Sequence, residues 1–148
     1  VADVLGVPGH TEDHLAYVFD LSPPVLFSGD TLFAGGCGRL LGGSAEQLYA
    51  SLNKLQALPG ETLIYCAHEY TLSNLQFAAH TFPQVMAITD RLSEVMAIRK
   101  EGGRTLPSQL ARERETNPFL LVRSLDAFRE LRLQKDAYRA PPLHPNPN

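Results

Sequence analysis

Four short apolar runs, at residues 4–7, 16–20, 25–27 and 62–65, fall in the first half of the chain between turn-forming residues. Their length and their β-branched and aromatic content predict strands. Ser-Pro-Pro at 22–24 separates the second run from the third. Between the third and fourth, Ser44 with Gln47 three residues on forms a capping-box pattern. Leu48, Leu52 and Leu55 follow at helical spacing, and Pro59-Gly60 ends the helix. From Leu72 the period becomes helical, with almost no strand signal. Helices are expected over 72–80, 84–100, 107–115 and 125–135, with Gly102-Gly103 separating the second from the third and Asn117-Pro118 ending the third. The Pro- and Asn-rich stretch 141–148 is expected to be loose. The pattern predicts an α/β portion over 1–71 followed by a helical portion over 72–148, with no internal repeat.

At 148 residues, 44% hydrophobic and 20% charged, the composition is that of a globular protein with one core and an appendage. No apolar run approaches a membrane span and no signal-peptide pattern opens the chain, so no membrane association is expected. Cys37 and Cys66 make no secreted disulfide framework, and a reducing cytosol follows as the expected compartment. The strand-like run close behind Val1 suggests the back part of something longer. A net charge of −3 argues against nucleic-acid binding. Its distribution says more: residues 1–98 hold 3 Lys+Arg against 10 Asp+Glu, whereas 99–148 hold 10 against 6. An acidic body with a basic tail suits a small anionic ligand, or simply a solvated helical surface.

Three polar stretches stand directly behind apolar runs: Gly-His-Thr-Glu-Asp-His at 9–14, Gly-Asp-Thr-Leu-Phe at 29–33 and Cys-Ala-His-Glu-Tyr at 66–70. Strand ends are where open α/β sheets expose reactive side chains. Two imidazoles and a carboxylate there suit Zn, Fe or Mn. His10 is read as the ligand and His14 as the orienting or structural residue. Asp30 either caps the amides of Thr31, Leu32 and Phe33 or bridges two metals, since a buried carboxylate needs a cation or strong donors. His68 repeats the pattern. The glycines at 35, 36 and 38 either let Arg39 reach over the site or make an ordinary turn. Cys37 has no identifiable base nearby and is not read as a catalytic thiol. Arg129, Arg132 and Lys135 recur every three residues, as a wet face or as a carboxylate-binding strip. His80 and His144 have no supporting context.

Together these stretches resemble the glyoxalase II family, the hydroxyacylglutathione hydrolases of the metallo-β-lactamase superfamily. The resemblance covers residues 4–14, 26–39, 63–76 and 128–138 in order. It implies the second half of an αβ/βα sandwich followed by a helical glutathione-binding domain. It further implies two divalent metal ions, zinc first, with iron or manganese as alternatives. His10 would serve the first ion, Asp30 would bridge both, and His68 would serve the second. Tyr70, Arg132, Lys135 and Arg39 match positions that hold the glutathione moiety. The implied reaction hydrolyses an S-(2-hydroxyacyl)glutathione, such as lactoylglutathione, in methylglyoxal detoxification.

Three departures qualify the resemblance. The His-x-His-x-Asp-His motif that supplies most remaining ligands does not occur in the chain, Leu41 stands where some members have a Tyr, and Asp13 replaces a common Gly. These leave a weakly active or inactive fragment, or a glutathione-binding module, as the alternative. Self-association, or pairing with a front half, would then cover an exposed apolar sheet face. Within the same fold, a persulfide dioxygenase would use His10 and Asp30 on a single iron.

Overall fold

The computed structural model describes residues 1–141. The expected looseness of 141–148 therefore falls, apart from Pro141, outside the described residues, as does His144. Five strands form one mixed sheet in the order β1 (Ala2–Gly6), β2 (Leu15–Phe19), β3 (Val25–Gly29), β6 (Leu63–Cys66) and β7 (Ser108–Gln109). Neighbours are antiparallel except β3 and β6, which run parallel. Between those two lie a small hairpin, β4 (Leu32–Phe33) with β5 (Gly36–Cys37), and helix α1 (Ala45–Gln56). The second half supplies α2 (Thr71–Thr81), α3 (Met86–Lys100), α4 (Leu110–Thr116), α5 (Pro118–Leu121) and α6 (Leu125–Ala137).

Helix α1 begins as its sequence predicts: Ser44 Oγ accepts from the Gln47 N–H, and Gln47 Oε1 accepts from the Ser44 N–H. The stretch 107–115, expected to be wholly helical, instead opens with strand β7, which pairs with β6. Two residues carry no readable strand period, and only the free edge of β6 recruits them. The Gly-rich stretch after Asp30 is likewise a hairpin rather than a plain turn.

Alternation in the sheet decides what lies on each face. Ala16, Leu26 and Ile64 point into a core shared with Leu48, Leu52 and Leu55 of α1, Phe77 of α2, Phe119 of α5 and Phe128 of α6. Burying each of these aromatics contributes roughly 1.5–3 kcal/mol. On the opposite face, Val4, Tyr17, Phe27 and Tyr65 form one cross-strand row, and all four are exposed. Phe27 stacks on Tyr65 with ring centroids 5.4 Å apart, and Phe19 meets its edge at 5.7 Å. Among the described residues the sheet is covered on one face only. No described helix is long and apolar enough to cross a membrane.

Candidate metal and substrate site

Because β3 and β6 are parallel, their C-terminal ends deliver Asp30 and His68 to the same edge, and the Ala67 N–H to Gly29 carbonyl bond (3.0 Å) ties the ends together. Gly29 has φ +54°, and a Cβ there would lie 2.5 Å from His14 Nε2, so only glycine fits. The next amide, the N–H of Asp30, donates to that same His14 nitrogen at 3.0 Å. His14 is thus a hydrogen-bond partner of the Asp30 backbone.

Asp30 lies between two imidazoles. Its Oδ1 is 3.2 Å from His68 Nε2, and its Oδ2 is 4.0 Å from His10 Nε2. The Thr31 N–H goes to the Ser28 carbonyl, and the carboxylate accepts none of the 31–33 amides, so the capping alternative lapses. His10 Nδ1 lies 2.8 Å from the Arg39 carbonyl. A carbonyl only accepts, so Nδ1 carries a proton, and in the neutral ring the lone pair then lies on Nε2, toward Asp30. His68 stacks on Tyr70 with centroids 4.8 Å apart and planes at 20°.

This donor set fits a divalent cation on either side of Asp30, each with one imidazole nitrogen and one carboxylate oxygen. It does not complete either position: among the described residues no group of three or more His, Cys, Asp or Glu could hold a metal ion.

A cavity of about 760 Å³ opens over these groups, and all seven sequence-predicted residues line it: His10, Asp30, His68, Arg39, Tyr70, Arg132 and Lys135. Their states differ. Arg39 and Tyr70 are exposed, whereas Arg132 is buried and its fork is already engaged. Its Nη1 donates to the Cys37 and Gly38 carbonyls (3.0 and 3.2 Å), its Nη2 donates to Asp136 (2.8 Å), and Phe119 lies beneath it at 5.0 Å. Only its Nε is buried without a partner. Lys135 is half-buried over the Phe77 ring. Burial, followed by the charge of Arg132, pushes its ammonium below the ordinary lysine value.

Arg129 does not join them. It pairs with Glu46 and Asp126 on the outer surface, so the three-residue stripe splits between two faces. Cys37 is fully buried, and that burial pushes its thiol up to about 11 against the opposing charge of Arg132. It holds no reactive thiolate. Asp13 occupies its turn without a positive φ, so the departure from Gly strains no backbone. Leu41 lines the cavity and brings no hydrogen-bonding group to it.

Several residues of the site were missed in the sequence. Arg139 and Asn74 also line the cavity, with Tyr138 and Asp136. Asp136 was open to discovery as the i,i+4 partner of Arg132. Glu69, beside His68, accepts from the Thr105 N–H (2.6 Å) and hydroxyl, and Arg99 lies 3.9 Å away. Partial burial raises its pKa, but the Thr105 and Thr71 bonds and Arg99 outweigh this and hold the carboxyl below its usual value. Nothing in the local sequence marks Thr105 as its partner.

Two family models divide the chain between them: the metallo-β-lactamase superfamily matches residues 3–68, and the hydroxyacylglutathione hydrolase C-terminus matches residues 69–138. The fold and the strand-end donors define the first as the class of this protein. The chain belongs, within that superfamily, to the hydroxyacylglutathione hydrolase family. It is 49% identical over 138 residues to the hydroxyacylglutathione hydrolase of Prochlorococcus marinus (strain MIT 9211), covering 90% of this chain and 54% of that one. The chain spans about half the length of the curated relatives it matches. Among solved structures it is similar to ETHE1 from Myxococcus xanthus, with TM-score 0.62 and 30% identity over 94% of this chain and 48% of that one. It is also similar to TTHA1623 in a di-iron-bound form, with TM-score 0.51 and 30% identity over 80% and 42%.

Proposed function

We propose that this chain carries the substrate-binding wall and three metal ligands, His10, Asp30 and His68, of a thioester hydrolase acting on S-(2-hydroxyacyl)glutathione. The observation that carries the reading is the placement of Asp30, one oxygen toward each imidazole, in the same cavity as Arg39, Tyr70 and Lys135. Divalent cations held beside Asp30, zinc foremost, would supply a nucleophile from water at neutral pH and Lewis-acid polarisation of the thioester carbonyl. His10 and His68 hold their Nε2 atoms toward that carboxylate.

Arg39, Lys135 and Arg139 are the cations of the cavity wall that form no salt bridge among the described residues and so could meet the two carboxylates of glutathione, and Arg132 adds charge from within the wall. The Tyr70 phenol supplies a hydrogen bond from its place on His68. Holding the glutathione end fixes the thioester over the reacting edge of the sheet, so that binding contributes to positioning. A C–O bond forms, the C–S bond breaks, and glutathione leaves as the thiolate.

A single-iron persulfide dioxygenase is the second reading, supported by the likeness to ETHE1. Against it stand His68 on the second oxygen of Asp30 and the family model that matches residues 69–138. The discriminating experiment follows thiol release from S-lactoylglutathione by the 148-residue chain, with zinc and with chelator, alongside calorimetric binding of the thioester. Binding with slow, zinc-dependent release that Asp30→Asn abolishes is the expected result. Absence of both binding and zinc-dependent release would overturn the reading.

A further inference from the structure

Apart from the buried thiol of Cys37, residues 33–38 bring no metal-type side chain, yet His10 depends on the segment they form with Arg39. The proton on its Nδ1 is held by the Arg39 carbonyl, which selects, for the neutral ring, the tautomer with Nε2 bare toward Asp30. The segment before Arg39 is held in turn from the helical half. Glu113 Oε2 accepts from the Gly35 N–H at 2.8 Å. Asn117 Nδ2 donates to the carbonyls of Phe33 (3.2 Å) and Gly36 (3.0 Å). Arg132 takes the next two carbonyls, those of Cys37 and Gly38.

Glu113 and Asn117 are wholly buried, and Glu113 is itself locked by Arg91 (2.6 Å) and by Ser108. There is no slack between this segment and the site. A Cβ on Gly38 would lie 2.0 Å from the Asp30 carbonyl oxygen and 3.2 Å from His10 Nδ1. A shift of the segment is therefore transmitted to His10 and Asp30 together.

We propose that Asn117 and Glu113 are positioning residues for His10: they fix the backbone of residues 33–36, which places the Arg39 carbonyl that sets the imidazole tautomer. The helical half thereby builds the metal-facing edge as well as the binding wall. The proposal rests on the reading of His10 as a ligand for its consequence, but not for its geometry. Buried, fully satisfied networks of this kind hold one arrangement because every alternative leaves a polar group unpaired.

The test is Asn117→Ser in the 148-residue chain. Serine still caps α5 through its hydroxyl but is too short to hold both carbonyls. The ring ¹⁵N shifts of His10 report its tautomer with no metal present. The expected result is a dominant Nδ1–H form in the parent and a mixture with Nε2–H in the variant, while His14 keeps its own. Zinc affinity measured by calorimetry should fall about 10- to 100-fold, as for loss of a partner behind a ligand. An unchanged His10 tautomer and zinc affinity, with only a lower melting temperature, would overturn the proposal and make the network plain fold cement.

Should the variant not fold, amide exchange on the parent chain decides. The Gly35 and Gly38 amides are expected to open together with those of α4, and independent, faster opening would overturn the proposal. Loss of thioester binding with the His10 readout intact would count against the function and leave this inference standing.

Discussion

Replacing Glu113 by leucine probes the most deeply buried charge in the chain. Glu113 is wholly buried and its partner Arg91 nearly so. Glu113→Leu leaves the guanidinium with only Thr116 Oγ1 (2.6 Å) and Ser108 Oγ (3.0 Å) as acceptors. Breaking a buried pair in this way costs about 3–5 kcal/mol, because a charge is left uncompensated. That is a large share of the roughly 5–15 kcal/mol that holds a domain folded. The double change Arg91→Met with Glu113→Leu removes both charges and should recover much of the loss. It should not recover all of it, because the Gly35 N–H loses its acceptor and Asn117 loses one of three. An unpaired buried donor costs about 1–3 kcal/mol, and that deficit should persist. Urea unfolding followed by far-ultraviolet circular dichroism measures all three proteins. A single-variant loss under about 1 kcal/mol, or full recovery in the double variant, would refute this account of the network.

Other consequences can be checked separately. Lys135→Ala should weaken calorimetric binding of S-lactoylglutathione about 10-fold or more, the worth of a charge-assisted hydrogen bond, whereas Arg129→Ala on the outer face should leave it unchanged. The Cys37 thiol is held up to about 11 from 9.0 by burial, so the unfolded chain ionises first as pH rises. The stability it contributes is complete below pH 9 and drains away toward pH 11, by about 3 kcal/mol in all, and Cys37→Ala should flatten that slope in unfolding titrations. The exposed row of Tyr17, Phe27 and Tyr65 should make the isolated chain self-associate, and Phe27→Lys should shift sedimentation toward monomer; unaltered sedimentation would exclude this face as the contact.

The chemistry-bearing stretches were legible because each is local. A polar residue directly behind an apolar run must leave the sheet where the strand ends, so Asp30 and His68 could be placed at strand ends from the sequence alone. The helix after Ser44 was equally plain, since its start signal and its leucine spacing lie within a few turns. Family resemblance then named the candidate binding residues, and all of them line one cavity.

Tertiary structure decided what local pattern does not encode. Strand β7 exists because β6 offers an unpaired edge, not because Ser108 and Gln109 favour extension. Arg129, Arg132 and Lys135 look equivalent in sequence, but α6 turns the first outward, spends the fork of the second on the carbonyls of Cys37 and Gly38, and leaves the third free over Phe77. Nothing in the local sequence marks Glu113 and Arg91, on separate helices, as partners, and packing seals them together. Local patterns determine where a side chain starts; only the meeting of distant segments determines which donors and acceptors remain unspent. For this chain, the sequence determined which residues come to the edge of the sheet. The packed helices decided which of them are left to bind.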